Sequence, residues 1–265
     1  MLAAVLAVTK PPEGFHAPGT EIFDYTETCL IGDGRYCLTR VSFWMLMSAV
    51  IIGVLFIAAF RNPKIVPKGL QNAIESLVDL IRNGIVMEVI GKDGLPFLPF
   101  LTSLFVFIWI NNLYGIIPGI QFPTTSRMAI PAFLAILVWF VFNIVGIVKQ
   151  GGLHYLRNTL FPPGVPKPIY VLYTPIEFVS VFLVRPLTLS VRLAANMIAG
   201  HLILTIFFLG TWYLQWKLAT LPIAALSFAL GTFITAFEVL VGVLQAYIFT
   251  ILTAVYIAGA MHAEH

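Results

Sequence analysis

Charged residues are scarce in this chain of 265 amino acids. Asp, Glu, Lys and Arg together make up 10% of it, against roughly 25% in an ordinary soluble domain. Apolar residues make up 59%, and the mean hydropathy is +0.94. This balance argues against an ordinary soluble protein and predicts one that crosses a membrane several times.

Basic clusters and cysteines are also few. The net charge of +3 is spread over loops, so nothing in the sequence points to nucleic acid as a partner. The two cysteines, Cys29 and Cys37, lie in a polar segment, where a disulfide and two unpaired thiols fit the sequence equally well. They lack the flanking pair of histidines that a zinc motif needs, and we expect neither a metal nor a cofactor.

Long apolar runs predict the fold, an all-α membrane protein with five membrane-crossing helices. A helix needs about 20 apolar residues to cross about 30 Å of hydrocarbon. A further helix over residues 68–90 alternates apolar and polar residues at helical spacing, so it is predicted to lie at the membrane surface. The predicted crossings, within a single membrane domain at 42–265 that follows a polar N-terminal segment at 1–41, are 42–60, 95–119, 129–148, 169–211 and 218–261.

The last two runs are too long to stand upright in a bilayer. About 40 residues of helix measure roughly 60 Å, twice the hydrocarbon thickness. Either these helices break at Pro175, Pro186 or a glycine, or they lie steeply inclined as a hairpin. The absence of proline from 187–209 and 223–258 favours the inclined hairpin.

The distribution of Lys and Arg predicts the orientation. With an outer N-terminus and an inner C-terminus, more of these residues fall in inner loops than in outer ones, as the positive-inside rule requires. The inner loops then contain Arg61, Lys64, Lys68, Arg82, Lys92, Lys149, Arg157 and Lys167, and the outer ones contain Lys10, Arg35, Arg40, Arg127 and Lys217.

Polar residues within the two long runs are the candidate functional site. Arg192 comes first, because a guanidinium stays charged and costs about 3 to 17 kcal/mol in the middle of a bilayer. Its apolar flanks are too long for snorkelling, so its counter-charge is either Glu238 of this chain or an acid on another subunit. Arg185 is nearer the inner end, where snorkelling to the head groups explains it as well as a function does.

Three of these polar residues share one face of the first long helix. Positions seven and four apart lie on the same side of a helix, so Arg185 and Asn196 both lie on the face of Arg192. Small residues surround them, which allows close approach of another helix of this chain or of a partner: Ala194, Ala195, Ala199 and Gly200.

Antiparallel pairing of the two long helices would bring further polar residues together. In that register His201 faces Glu238, Arg192 faces Gln245, and Glu177 lies opposite the end of the last helix. Histidine and glutamate can titrate near neutrality when partly buried, whereas arginine keeps its proton. His201 with Glu238 is therefore a candidate proton relay on the outer side of Arg192, and Glu177 is one on the inner side. Arg192 between them would be a charge barrier, and the carrier across it would lie outside this chain.

The segments RPLTLSVRLAANMIAGHL and FEVLVGVLQAYIFTILTAVYI resemble the two signature helices of subunit a of the F-type, proton-translocating ATP synthases. The resemblance covers about residues 43–265 and includes NNLYGIIPG. It implies a stator beside a rotating ring of c subunits, with b-type peripheral stalk subunits, the remaining ATP synthase subunits and membrane lipid as partners. ATP formation would belong to a separate soluble head, so this chain would contain no catalytic site. The membrane would be a bacterial plasma membrane, with the mitochondrial inner membrane as the alternative.

The resemblance also implies roles for single residues. The arginine that matches Arg192 faces the carboxylates of the ring and prevents protons from short-circuiting between two half-channels. His201 and Glu238 match a coupled pair, and Asn196 and Gln245 match polar positions beside the arginine. Further polar positions of the family, with less defined roles, match Glu177, Asn112 and Tyr256.

Two other interpretations stay open on the sequence alone. A secondary transporter or ion channel acting alone would use Arg192 to bind an anionic substrate, although such proteins usually contain two similar halves and no internal repeat is visible here. A structural membrane scaffold would pair all of its polar residues internally, so that Arg192→Ala would mainly lower assembly.

Overall fold

Helices form most of the computed structural model, which describes residues 19, 29–31, 38–117, 120, 124–161, 169–216 and 218–261. In chain order the α-helices are α1 (Arg40–Phe60), α2 (Leu70–Ile81), α3 (Leu98–Leu113), α4 (Ala129–Gln150), α5 (Gly152–Leu160), α6 (Tyr170–Val179), α7 (Arg185–Leu214) and α8 (Leu221–Met261). Wider π turns occupy Arg82–Ile90 and Ser180–Val184, and tighter 3₁₀ turns occupy Lys92–Phe97, Thr124–Ser126 and Leu218–Thr220.

Five of the described helical stretches are long and apolar enough to cross a membrane, which confirms the predicted all-α membrane fold. They are Val41–Phe60, Lys92–Leu113, Ala129–Gln150, Tyr170–Leu214 and Leu218–Met261. The second of them ends at Leu113 rather than at 119, because the chain leaves the helix in turns in which Gly115 N–H donates to Asn112 O and Ile116 N–H to Leu113 O.

A short antiparallel strand pair precedes α1, and the sequence did not predict it. It consists of β1 (Cys29–Ile31) and β2 (Leu38–Thr39). Cys37 is outside the described residues, and so is the possible disulfide.

The predicted surface helix over 68–90 has two parts. The α-helix α2 passes directly into the π turns of Arg82–Ile90, and Gly91, with a φ of 85°, ends them. Ile81, Ile85 and Val86 are fully buried against the rest of the protein. One side of this segment therefore packs on the bundle, as its amphipathic pattern indicates.

A helix occupies part of the connection between the predicted crossings 129–148 and 169–211. This helix, α5, folds back on α4 because Gly151 adopts a φ of 84° and Gly146 leaves room for the ring of Tyr155. The Tyr155 hydroxyl donates to Asn143 Oδ1 at 3.2 Å, and burial raises the pKa of Tyr155, so the hydroxyl stays protonated. Hydropathy did not predict α5, because its sequence is largely polar.

The long helices are continuous through their prolines. Pro175 lies inside α6, and Pro186 lies in the first turn of α7 without breaking the chain of helical turns. A proline at 186 cannot donate to the carbonyl of Phe182, and the π turn Ser180–Val184 accommodates that missing bond. The 41 residues of α8 measure about 60 Å, so an upright position in a bilayer is excluded.

The core lies between α3, α4, α7 and the second half of α8. Fully buried side chains there include Leu101, Val138, Leu193, Phe249 and Ile257. The first half of α8 instead packs mainly along α7 and exposes a row of large apolar side chains: Phe233, Phe237, Leu240 and Leu244. The hairpin of α7 and α8 is thus anchored in the core at one end and open at the other.

Candidate functional site

The hairpin of α7 and α8 contains most of the predicted site residues, and Glu238 lies close to the place that the predicted register gives it. Ser227 Oγ donates to Phe207 O at 2.9 Å. Farther from the turn, the carboxylate of Glu238 lies against Gly200. Glu238 is therefore beside the residue that precedes His201, although direct contact between His201 and Glu238 stays a prediction.

Gly200 provides the space for the Glu238 carboxylate. A Cβ at position 200 would collide with Oε1 and Cδ of Glu238. The carboxylate can lie this close to α7 because residue 200 has no side chain.

Three predicted residues meet at a small cavity between α3, α7 and α8. Asn112, Asn196 and Glu238 line it together with Gly200 and Gly242, and its volume is about 160 Å³. The other lining residues include apolar side chains such as Met197 and Phe237. Polar side chains line part of this mostly apolar cavity, which has room for several water molecules.

Asn112 is held on two sides. Its Nδ2 donates to Gly242 O at 3.1 Å, which links α3 to α8, and Thr125 Oγ1 donates to its Oδ1 at 3.1 Å. The sequence did not indicate a role for Thr125, because a threonine in a short turn between two membrane-crossing helices is an ordinary turn residue. The available signal was the pair of adjacent asparagines, Asn111 and Asn112, at the end of an apolar run.

A larger cavity of about 1010 Å³ opens beside the small one, toward the turn of the hairpin. His201 and Thr205 of α7 line it, and so do Thr232 and Thr235 of α8. The rest of the lining includes large apolar side chains such as Trp212. The threonines were missed as well, because threonine is common in apolar helices, where its hydroxyl bonds to the helix backbone, as Thr205 does to His201 O at 2.7 Å.

Arg192 lies on an exposed face of α7. It shares this face with Thr188, Ala195 and Ala199, which are also exposed. Within the described ranges Arg192 has no hydrogen bond or ion pair. Glu238 is therefore not its partner, and the alternative that placed its counter-charge there is wrong.

Gln245 was expected to face Arg192, but the structure places the two side chains in different surroundings. Gln245 is buried within the bundle, whereas Arg192 is exposed. No hydrogen bond between them occurs, and the amide nitrogen of Gln245 is buried without a partner among the described residues.

A second polar group lies at the end of the hairpin away from its turn. Arg185 Nη2 is 3.2 Å from Glu177 Oε1, and the Arg185 guanidinium lies 5.3 Å from the ring centroid of Tyr256. An ion pair and a cation–π contact thus explain Arg185 better than snorkelling does. Glu177 pairs with Arg185, and its place opposite the end of the last helix stays a prediction.

The π turn accounts for this ion pair. On a regular α-helix, positions eight apart differ by about 80° and about 12 Å, too far for direct contact. The wider turn at Ser180–Val184 lies between Glu177 and Arg185 and changes their relative rotation.

No group of three or more His, Cys, Asp or Glu side chains within the described ranges is arranged to hold a metal ion.

Comparison of the sequence with known proteins places this chain in a family. Residues 42–258 match the family model of the ATP synthase A chain. ATP synthase subunit a of Rhodococcus erythropolis is 40% identical over 259 residues, which cover 97% of this chain and 94% of that protein. The corresponding subunit of a Nocardioides species is 38% identical over 276 residues, with 99% of both chains covered. That of Hyphomonas neptunium is 42% identical over 236 residues, which cover 88% and 91%. This chain therefore belongs to the ATP synthase A chain family.

Proposed function

We propose that this chain is the stator subunit of the membrane sector of an F-type ATP synthase, and that Arg192 separates two proton half-channels in it. Membership of the family supports the stator role. The observation that carries the mechanism is the exposed, unpaired guanidinium of Arg192 between two groups of polar residues in an otherwise apolar hairpin.

The outer half-channel runs through the two adjoining cavities. The larger cavity admits water from the side of the hairpin turn, and His201 and Thr205 line it. The smaller cavity, whose lining shares Ile116 with that of the larger one, would take the proton on to Glu238, Asn196 and Asn112. A chain of water and titratable side chains can pass a proton along this route, because His and Glu each accept and release one.

The inner half-channel begins at the polar group formed by Glu177, Arg185 and Tyr256. The Glu177 carboxylate is half-buried and paired, so it is held in place at the inner end of the hairpin. The two half-channels do not join, because the positive charge of Arg192 lies between them and repels a proton.

The partner of Arg192 is an anion outside this chain. Small residues beside it, Ala195 and Ala199, let another helix approach closely. Next to them, α8 offers exposed apolar side chains that include Phe237 and Leu240. A membrane-embedded carboxylate on a ring of c subunits supplies the anion, moves past Arg192, and carries each proton from one half-channel to the other.

The remaining subunits complete the machine. The peripheral stalk, of b-type subunits, holds this chain still against the ring, and ATP is formed in a separate soluble head rather than on this chain. We place the single membrane domain at 42–265 in a bacterial plasma membrane, as bacterial relatives suggest, with the N-terminus outside and the C-terminus inside.

Disulfide cross-linking to the ring tests the stator assignment. In a background without Cys29 and Cys37, a cysteine at Ala199 should cross-link to a cysteine placed next to the membrane carboxylate of the small ring subunit. The matched control is a cysteine at Ile144, which is exposed on another helix, α4. This cysteine should not cross-link. A cross-link from Ile144 but not from Ala199 would refute the proposed position of the ring.

A further inference from the structure

Two neighbouring threonines hold two neighbouring asparagines. Thr124 Oγ1 donates to Asn111 Oδ1 at 2.7 Å, and Thr125 Oγ1 donates to Asn112 Oδ1 at 3.1 Å. All four side chains are buried. The two pairs are thus alike in chemistry and in burial, and they differ in what each asparagine touches.

The Asn111 pair serves the packing of α3. Asn111 Nδ2 donates to Ser48 Oγ of α1 at 3.1 Å and to Phe107 O of its own helix at 2.7 Å. Asn111 is not among the described residues that line the cavity beside Glu238.

The Asn112 pair reaches that cavity, and its hydrogen bonds fix which way the amide points. Gly242 O can only accept, so Asn112 must turn its Nδ2 toward it and its Oδ1 toward the hydroxyl of Thr125. Nδ2 carries a second hydrogen that Gly242 does not use. The cavity that Asn112 shares with Glu238 is where this second donor can act.

We infer that Thr125 is a positioning residue for proton passage, because it holds the Asn112 amide so that an N–H group is available to the cavity beside Glu238. The inference rests on the proposed function, which places that cavity in the outer half-channel. A fixed donor at the wall orients the water or carboxylate that carries the proton. Without the Thr125 hydroxyl, Oδ1 of Asn112 loses its donor and only the bond from Nδ2 to Gly242 O holds the amide, so its second N–H is no longer fixed toward the cavity.

Three variants of the complete ATP synthase complex in vesicles test this role. Thr125→Val keeps the shape of the side chain and removes the hydroxyl, whereas Thr125→Ser keeps the hydroxyl. Thr124→Val removes the equivalent bond to Asn111. We expect Thr125→Val to lower proton-driven ATP synthesis per assembled complex roughly threefold to tenfold, as expected for the loss of one buried hydrogen bond. Thr125→Ser and Thr124→Val should retain the wild-type rate.

A double variant separates positioning from a general structural effect. If Thr125 acts through Asn112, then Thr125→Val should add no further loss to that of Asn112→Ala. If the losses of ATP synthesis from the two single variants multiply in the double variant, the inference is overturned. Equal losses in Thr124→Val and Thr125→Val would also overturn it, and so would poorer assembly of Thr125→Val than of Thr124→Val.

Failure of the proposed function would be recognised separately. An Arg192→Ala complex that keeps proton-driven synthesis would overturn the half-channel mechanism, and the inference with it. Loss of synthesis in Arg192→Ala together with a normal rate in Thr125→Val would overturn the inference alone.

Discussion

Gly200 and Glu238 show how a single residue determines the geometry of the site. The Glu238 carboxylate occupies the space in which any other residue at position 200 would place its Cβ. Glycine within a helix is about 0.5–1 kcal/mol less stable than alanine. What Gly200 contributes is therefore the space for Glu238, not the stability of α7.

We expect Gly200→Ala to displace the Glu238 carboxylate and to lower proton-driven ATP synthesis per complex roughly fivefold or more, since overpacking costs about 1–3 kcal/mol. The matched control is Gly210→Ala in the same helix, where the new Cβ would only meet Ser227 Oγ at 3.5 Å. Rates are measured in vesicles at equal amounts of assembled complex. Equal rates in the two variants would show that the close approach has no role in proton passage.

The sequence identifies the site residues whose chemistry is unusual in a membrane. Arg192 and Glu238 stand out because charge in hydrocarbon is costly, and their register follows from an unbroken antiparallel hairpin. Thr125 does not stand out, since its effect depends on the direction of the Asn112 amide. The sequence could not decide whether Arg192 pairs with Glu238 or with an acid on another subunit. The structure narrows this choice, because the exposure of the guanidinium depends on how α7 packs.

The π turn at Ser180–Val184 determines which polar side chains meet at the end of the hairpin away from its turn. It lies just before Pro186, whose missing N–H disturbs the regular helix. A pattern based on 3.6 residues per turn predicts that Glu177 and Arg185 lie about 80° and about 12 Å apart, too far for contact, yet they form an ion pair. Helix positions could be predicted from apolar runs, but this change of rotation could not.

A double-mutant cycle tests the ion pair. The side chains of Arg185 and Glu177 are 31% and 21% exposed, so the pair is partly screened and we expect a coupling free energy of about 1 kcal/mol. Arg185→Gln, Glu177→Gln and the double variant are compared by thermal unfolding in detergent. Arg185→Gln combined with Glu238→Gln is the control, and its effects should add. Additive effects in the Arg185 and Glu177 cycle would contradict the contact.

The assembled fold gives the hairpin two different surroundings. The second half of α8 is packed in the core, where Phe249 and Ile257 are fully buried. The first half of α8 and the Arg192 face of α7 stay exposed, with Phe233 and Phe237 among the exposed side chains. Part of the hairpin is thus fixed by this chain, while the first half of α8 and the Arg192 face of α7 stay open to a partner, which in the proposed function is the ring.

The central claim, that Arg192 separates two half-channels and faces a moving carboxylate, is tested most directly by Arg192→Ala. The measurement is proton-driven ATP synthesis, together with proton leak, in vesicles that contain the complete complex. Thr188→Ala, on the same exposed face of α7, is the control and should retain synthesis. We expect Arg192→Ala to assemble normally, to synthesise no ATP and to let protons leak, whereas normal coupled synthesis in this variant would contradict the proposed mechanism.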